Sequence, residues 1–398
     1  MNDPFMFASS SEKFATIMYT MGKYLQLLIF PHPLTFDYYP KHIPIVGWSN
    51  PFVVLSSLIL LGLAIFAVKK FKKKSLISFS ILFYAITLSV ASNILFPVGV
   101  FMNERFIYVS SLGFCIVTAW LIDRQMRKEE SRKLMKTLTL LVFILYAGKT
   151  FSRNFDWKNN YTLSTTDAKT SVNGAKSNLM AGGTSLERAM EENKPLQKQK
   201  LLNDAVYYLN RALLIYPQYV DALLLMGNAQ WTATSDASKA MQYYRKILQM
   251  NPQHADAWRN IHIVLGSGNK VDQNIRVYED LIKFYPGHPD NYIQLGRLYG
   301  QQKNDLASAI NVLERGRAVS AGNFELLSNL GTAYGMAGNF EKAVEVLQQA
   351  VQLRPNHSKT HADLGLSYYF LGEHERAKKQ FDKAVELDPQ LVRSNFPI

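Results

Sequence analysis

A 34-residue register in the C-terminal part of this chain restricts its fold more than any other feature. Gly331 and Gly365, Ala343 and Ala377, and Pro355 and Pro389 each stand 34 residues apart. Gly227, Gly296 and Ala309, together with Pro217, Pro252 and Pro286, mark earlier copies. A period of this length is one pair of antiparallel helices. Small Gly and Ala positions let the two helices approach. Tyr, Leu and Phe fill the grooves between pairs, and Pro ends the second helix before the next pair begins. Five clear units are expected from Tyr219 to Gln390. A sixth, degraded unit is expected over Asn173–Gln218, with an insertion near Glu191–Lys200.

The pattern stops upstream. Near residue 153 the composition changes from long apolar runs to a polar helical sequence. Four runs are candidate spans: Phe52–Val68, Leu76–Leu95, Phe106–Ile122 and Leu134–Gly148. A crossing helix needs about 20 largely apolar residues. The second run meets that outright, and the fourth is the weakest, with lysines at both ends that can snorkel. Lys69–Lys74 and Arg124–Lys136 belong on the cytoplasmic side by the positive-inside rule. The 96–105 loop, the first fifty residues and everything after Gly148 then lie outside, in a periplasm or an ER lumen. Glu12–Phe30 reads as an amphipathic helix on the membrane surface, with Lys23 arguing against a span. The expected fold is all-α, with about four spans followed by an extracytoplasmic tetratricopeptide-repeat superhelix. Its parts are an N-terminal helix and loop (1–50), membrane helices (51–152), a junction (153–172), repeats (173–392) and a tail (393–398).

The net charge of +13 follows the same division. Residues 1–153 hold 17 Lys/Arg against 7 Asp/Glu, whereas residues 154–398 hold 27 against 24. The excess sits in short loops between apolar runs, so a topological signal explains it and nucleic acid is not an expected partner. A single cysteine, Cys115, excludes disulfides within the chain and reads as a small buried hydrophobe. The eight histidines are scattered, none at metal-ligand spacing from a carboxylate, so no metal is expected. The sequons at Asn160 and Asn356 read as chance occurrences. The first five residues carry no positive region, so no signal peptide is expected.

Three groups of residues are candidates for function. Glu104 and Arg105 place a charge pair at the edge of the third apolar run, where ionised groups are expensive. Arg105 suits the phosphate of a membrane lipid, through bidentate hydrogen bonds. Alternatively the two residues cap the helix as a pair. In the loop His32-Pro33-Leu34-Thr35-Phe36-Asp37-Tyr38-Tyr39, a carboxylate beside aromatics suits contact with a sugar, or a structured turn anchors the tyrosines. In the repeats, Tyr292, Arg297, Asn329, Tyr334 and Tyr368 line a concave, polypeptide-binding face or, for the tyrosines, fill the packing between helices.

Three segments resemble one family together. Ala15-Thr16-Ile17-Met18-Tyr19-Thr20-Met21-Gly22-Lys23-Tyr24-Leu25 with Phe30–Tyr39 is similar to a signature of the transmembrane and tetratricopeptide repeat-containing O-mannosyltransferases and their bacterial relatives. Ser92–Gly99 followed by Glu104–Phe114 resembles a second signature, and Arg153-Asn154-Phe155-Asp156-Trp157 matches at the junction. The resemblance implies a polytopic transferase of the C-type glycosyltransferase fold. Such an enzyme moves a sugar from a polyprenyl-phosphate donor to Ser/Thr, with the repeats presenting the polypeptide and Arg105 at the lipid phosphate. No cofactor is implied in this chain beyond that donor. The family's catalytic carboxylates lie in an earlier loop, and neither Asp37 nor Glu104 fits a general base. The expectation is therefore a C-terminal part lacking the catalytic machinery, with a preceding membrane half missing or supplied by another polypeptide. The alternative is a non-catalytic, membrane-tethered scaffold for protein interaction.

Overall fold

The computed structural model describes residues 5, 8–38, 42–96, 98–267 and 270–390. Tyr39 and Pro97 of the signature segments, residues 1–4 and the 393–398 tail lie outside the described residues. Among the described residues all regular structure is helical. The chain divides into two compact units, Met1–Met250 and Asn251–Ile398.

The first unit opens with α1 (Ser10–Ile29). Ser9 and Glu12 form its capping box, the Ser9 hydroxyl accepting from the Glu12 amide and the Glu12 carboxylate from the Ser9 amide. Four helices follow: α2 (Pro51–Phe71), α3 (Leu76–Ser89), α4 (Ile107–Met126) and α5 (Glu129–Asp156). Asn50 caps α2 by accepting from the Phe52 and Val53 amides, and Pro51 occupies the first helical position. Three segments are long and apolar enough to cross a membrane: Pro51–Phe71, Glu104–Met126 and Glu129–Asp156. Most of their surface is uncovered by protein. Ser78 donates to the Ala67 carbonyl where α2 meets α3, and the Thr87–Ser110 and Ser80–Gly113 contacts run α3 and α4 antiparallel, so successive helices alternate in direction. Lys69–Lys74 and Arg124–Lys136 therefore lie at one end, and the loop from Val90 to Asn103 and Arg153 at the other.

Two expectations about the spans change. The run Leu76–Leu95 is not one long helix, because α3 stops after 14 residues at Ser89. Asn93 then adopts a left-handed conformation that suits Asn. Its side chain accepts from the Val98 amide and donates to the Val100 and Phe101 carbonyls, turning the apolar residues into a loop. The run judged weakest forms the longest helix, α5, with 28 residues. Its charged ends lower the average apolarity of the segment but are good helix formers. Cys115, expected to be buried, is exposed on the open apolar face of α4.

Close approach of α3 and α4 depends on Gly113. A Cβ there would stand 2.5 Å from the Ser80 carbonyl oxygen, a backbone atom that cannot swing aside. Small residues at such crossings let transmembrane helices pack. Gly113→Leu is expected to cost about 1–3 kcal/mol by overpacking, read as an earlier midpoint in detergent unfolding. Gly62→Leu is the control, since nothing lies within 4 Å of a Cβ at that position. Equal effects at both positions would remove the steric explanation.

α1 differs from the surface helix expected. Its apolar side, with Ile17, Met21 and Tyr24, is buried with Tyr38, Leu88, Phe101 and Met102 rather than open to lipid. Gly22 brings it against Phe52 and Ser56 of α2. The unit continues through α6 (Asn160–Thr170), the hairpin α7 (Ala175–Glu191) and α8 (Pro195–Ile215), and the hairpin α9 (Val220–Thr234) and α10 (Ala237–Met250). Leu179, Leu186, Leu201, Leu209 and Met226 form the core of these hairpins.

The second unit holds four hairpins: α11 (Ala255–Gly266) with α12 (Val271–Phe284), α13 (Pro289–Arg297) with α14 (Leu306–Val319), α15 (Phe324–Met336) with α16 (Phe340–Leu353), and α17 (Ser358–Phe370) with α18 (His374–Leu387). A π turn, Leu298–Gln302, extends α13. Pro217, Pro252, Pro286, Pro355 and Pro389 each lie two residues past the end of a helix, where a residue without an amide proton stops propagation. Leu327, Leu330, Val346, Leu347, Leu364 and Phe381 form an apolar cluster in this unit.

Candidate functional site

The Thr35–Tyr38 loop meets three other parts of the first unit. On one side, the Glu104 carboxylate accepts from the Thr35 amide (2.6 Å) and the Tyr38 hydroxyl (2.8 Å). Burial, reinforced by the Glu104 charge, holds the Tyr38 phenol well above its ordinary range. It therefore stays protonated and able to donate. Asn103 caps the short turn Glu104–Phe106 and donates its side-chain amide to the Phe36 carbonyl (3.0 Å). The Tyr24 hydroxyl accepts from the Asn103 amide (3.0 Å), tying α1 to the same point.

On the other side stands an ion pair that no sequence motif announces. Arg153, in the last turn of α5, grips Asp167 of α6 with both guanidinium nitrogens (2.5 and 2.7 Å). Asp156 adds a third contact at 3.0 Å. The Asp167 side chain is wholly buried and that of Arg153 is 12% exposed. Asp167 also accepts from the Phe36 amide (2.7 Å). Lys176 of α7 pairs with buried Asp37 at 2.8 Å, and the Ser171 hydroxyl lies 2.7 Å from that of Thr35. Four backbone residues of one loop thus join the ends of the apolar helices to the first helices of the repeat region.

These contacts separate the sequence candidates. Glu104 and Arg105 do not pair with each other, because the 3-10 turn points Glu104 into the loop and leaves Arg105 exposed beside the Phe106 ring. Among the described residues the Arg105 guanidinium makes no ion pair. Asp37 is buried against Lys176, so it is not open to a sugar. His32 Nδ1 lies 3.4 Å from the Lys149 amine nitrogen. Among the described residues, Thr35–Tyr38 form a turn held by these contacts.

In the second unit Tyr292, Tyr334 and Tyr368 are buried and do not line an open face. Their hydroxyls are used locally, by the Pro286 carbonyl, Glu314 and Gln348 respectively. The reason is their position on the side of each first helix that packs against its neighbours. Arg297 and Asn329 behave otherwise. Arg297 Nε donates to Asn329 Oδ1 (3.1 Å), and both line a groove of about 250 Å³ with Gln301, Glu325, His357 and Lys359. A second grouping escaped the sequence reading. His262 and, 26 residues further on, His288 with Asp290 bring ligand atoms within 4.8 Å of one another.

Tetratricopeptide-repeat family models match residues 322–390 and residues 221–254. Human protein O-mannosyl-transferase TMTC3 is 25% identical over 222 residues, 52% of this chain and 23% of that protein. Human TMTC1 is 27% identical over 290 residues, 71% of this chain and 31% of the relative. The curated relatives of this chain are TMTC O-mannosyl-transferases. The matches span about a quarter of the length of the first of these relatives. Human TMTC2 is 33% identical over a shorter stretch of 132 residues, 32% of this chain and 15% of the relative. Among solved structures, one titled crystal structure of MamA has a TM-score of 0.34 at 20% identity, covering 43% of this chain and 98% of its own. YrrB, titled a TPR protein with an unusual peptide-binding site, has a TM-score of 0.29 at 15% identity, covering 57% of this chain and 94% of its own.

Proposed function

We propose that this chain forms the polypeptide-presenting part of an O-mannosyl-transferase-type glycosyltransferase. In this reading the apolar helices sit in the membrane with Lys69–Lys74 in the cytoplasm. The repeats stand on the opposite side and hold an extended Ser/Thr-bearing polypeptide. The observation that carries the reading is the clamp around Thr35–Tyr38. It joins the first repeat helices to the loop-bearing ends of the apolar helices through bidentate, buried contacts, which fix orientation as well as attachment. Exposed Arg105, at that same end, is the residue we assign to a lipid phosphate, the polyprenyl-phosphate sugar donor included. Sugar-transfer chemistry is not assigned to the junction carboxylates. Glu104 Oε1 is held by Thr35 and Tyr38, Asp37 by Lys176 and Asp167 by Arg153, so these carboxylates serve the junction.

The groove at Arg297 and Asn329 is the polypeptide site of this proposal. Concave faces of stacked helical repeats commonly bind peptides, and paired Arg and Asn side chains suit a peptide backbone. Arg297→Ala and Asn329→Ala are each expected to weaken binding of a labelled Ser/Thr-rich peptide by about tenfold, the scale of one lost charged hydrogen bond. Fluorescence anisotropy with the full chain in detergent reads this directly. Unchanged affinity in both variants would move the site elsewhere. The chain alone is expected to transfer no mannose from a polyprenyl-phosphate donor. Transfer that disappears in Arg105→Ala would overturn the non-catalytic assignment.

A further inference from the structure

The repeat register singles out one hairpin. Gly227, Gly296, Gly331 and Gly365 occupy the equivalent position in four first helices, facing Tyr244, Leu313, Leu347 and Phe381 of the second helices. The same register places His262 there in α11, opposite Tyr278 of α12. A ring therefore stands where the other hairpins need the smallest residue. Its Nδ1 lies 3.0 Å from the Tyr278 hydroxyl, while its Nε2 is buried without a hydrogen-bond partner.

His288 departs from the register in a second way. It precedes α13 at the capping position also held by His254, Asn323 and His357. Those three use their side chains as caps, accepting from the amides of Ala257, Leu326 and Thr360. His288 makes no capping bond, and its Nδ1 is buried without a partner. The Trp258 indole stacks on its ring at 4.0 Å and holds it in place. Asp290, two residues on, is exposed and its carboxylate completes the group. A cleft of about 510 Å³, lined also by Ala255, Trp258, Arg259 and Ile263, opens onto the three side chains. Arg259, the nearby cation, is paired with Asp256.

Unpartnered buried polar atoms are costly and call for a ligand. From these two departures we infer that His262 Nε2, His288 Nδ1 and the Asp290 carboxylate bind one divalent first-row transition ion, with zinc the best match. Two imidazoles and a carboxylate are a common donor set for zinc, and three protein ligands leave a fourth position facing the cleft. Donors around a tetrahedral ion stand about 3.4 Å apart at bond lengths near 2.1 Å, so three atoms all within 4.8 Å of one another close into a set by shifts of about 1 Å. Tyr278, fixed on the remaining nitrogen of His262, orients that ring as supporting residues of metal sites do.

The test is zinc titration of the full chain in detergent, by calorimetry and by thermal unfolding. One ion per chain is expected, with a rise in unfolding temperature. His262→Gly restores the residue that the other hairpins carry and therefore keeps the fold. It is expected to abolish both the binding and the thermal shift. Asp290→Asn, at an exposed position, is expected to weaken binding by about tenfold or more, since even supporting residues of metal sites act on that scale. His374→Asn, at the exposed start of α18, should leave zinc binding unchanged. Absence of saturable binding by the wild-type chain would overturn the site. So would binding that is equal in wild type, His262→Gly and Asp290→Asn, because the ion would then be held by other residues.

Discussion

Arg153→Met is expected to destabilise the first unit by about 3–5 kcal/mol, the cost of leaving one partner of a buried ion pair unmatched. The wholly buried Asp167 would keep only the Phe36 amide. The loss should register as an earlier midpoint in denaturant unfolding of the detergent-solubilised chain. It should also register as new proteolysis within Thr35–Tyr38. Replacing both partners, Arg153→Met with Asp167→Leu, removes the stranded charge and is expected to cost clearly less than the sum of the single changes. Arg153→Lys should fall between, because an ammonium cannot reproduce the two-nitrogen grip. A midpoint unchanged in Arg153→Met would mean that water or another cation satisfies Asp167, and the clamp would lose its structural importance.

The second large effect lies in the last hairpin. Phe381 is fully buried, and a Cβ on Gly365 would stand 2.6 Å from its ring. Phe381→Ala empties that space and is expected to cost about 3–5 kcal/mol. Gly365→Ala crowds it and is expected to cost about 1–3 kcal/mol. The combination carries more information than either change alone. An added methyl at 365 occupies part of the cavity left by the ring, so the double variant should be more stable than simple addition of the two losses predicts. Full additivity in urea unfolding would show that the two side chains do not share one space.

Both predictions concern residues whose visibility in the sequence differs. Gly365 and Phe381 belong to a repeating pattern, because most hairpins set a glycine of the first helix against a large side chain of the second, the α11 and α12 pair being an exception. Pro355 and Pro389 could be read for the same reason. Spans were harder to read from apolarity alone. Leu95 continues the apolar run past Ser89, but the polar hydrogen bonds of Asn93 end the helix. The tyrosines at 292, 334 and 368 carry both a ring suited to packing and a hydroxyl suited to binding. Local partners, invisible in composition, decide between them.

The junction was legible on one side only. Thr35–Tyr38, Glu104 and Arg153 sit in distinctive segments, whereas Asp167 is an ordinary acidic residue in a polar helix. Its partner amide at Phe36 is 131 residues away, and nothing local marks the pairing. The histidine group failed for a related reason. His262 and His288 are 26 residues apart, outside any short metal-binding spacing. Only the repeat register reveals that each departs from the residue, or from the hydrogen bond, found at the same place in neighbouring hairpins.

The length of α5 carries one more consequence. At 1.5 Å per residue its 28 residues extend about 42 Å, against a hydrocarbon core of about 30 Å. If it crosses a bilayer, roughly two turns must emerge from the hydrocarbon. Its first turns are rich in charge, and its last holds Arg153, so the overhang is shared between the two faces. Arg153 then stands at the height of the headgroups, and α6 starts above them. In that arrangement the helix would act as a spacer that sets a minimum clearance between the lipid surface and the first hairpin. Shortening α5 by a whole number of turns would lower that clearance while keeping Arg153 pointed at Asp167.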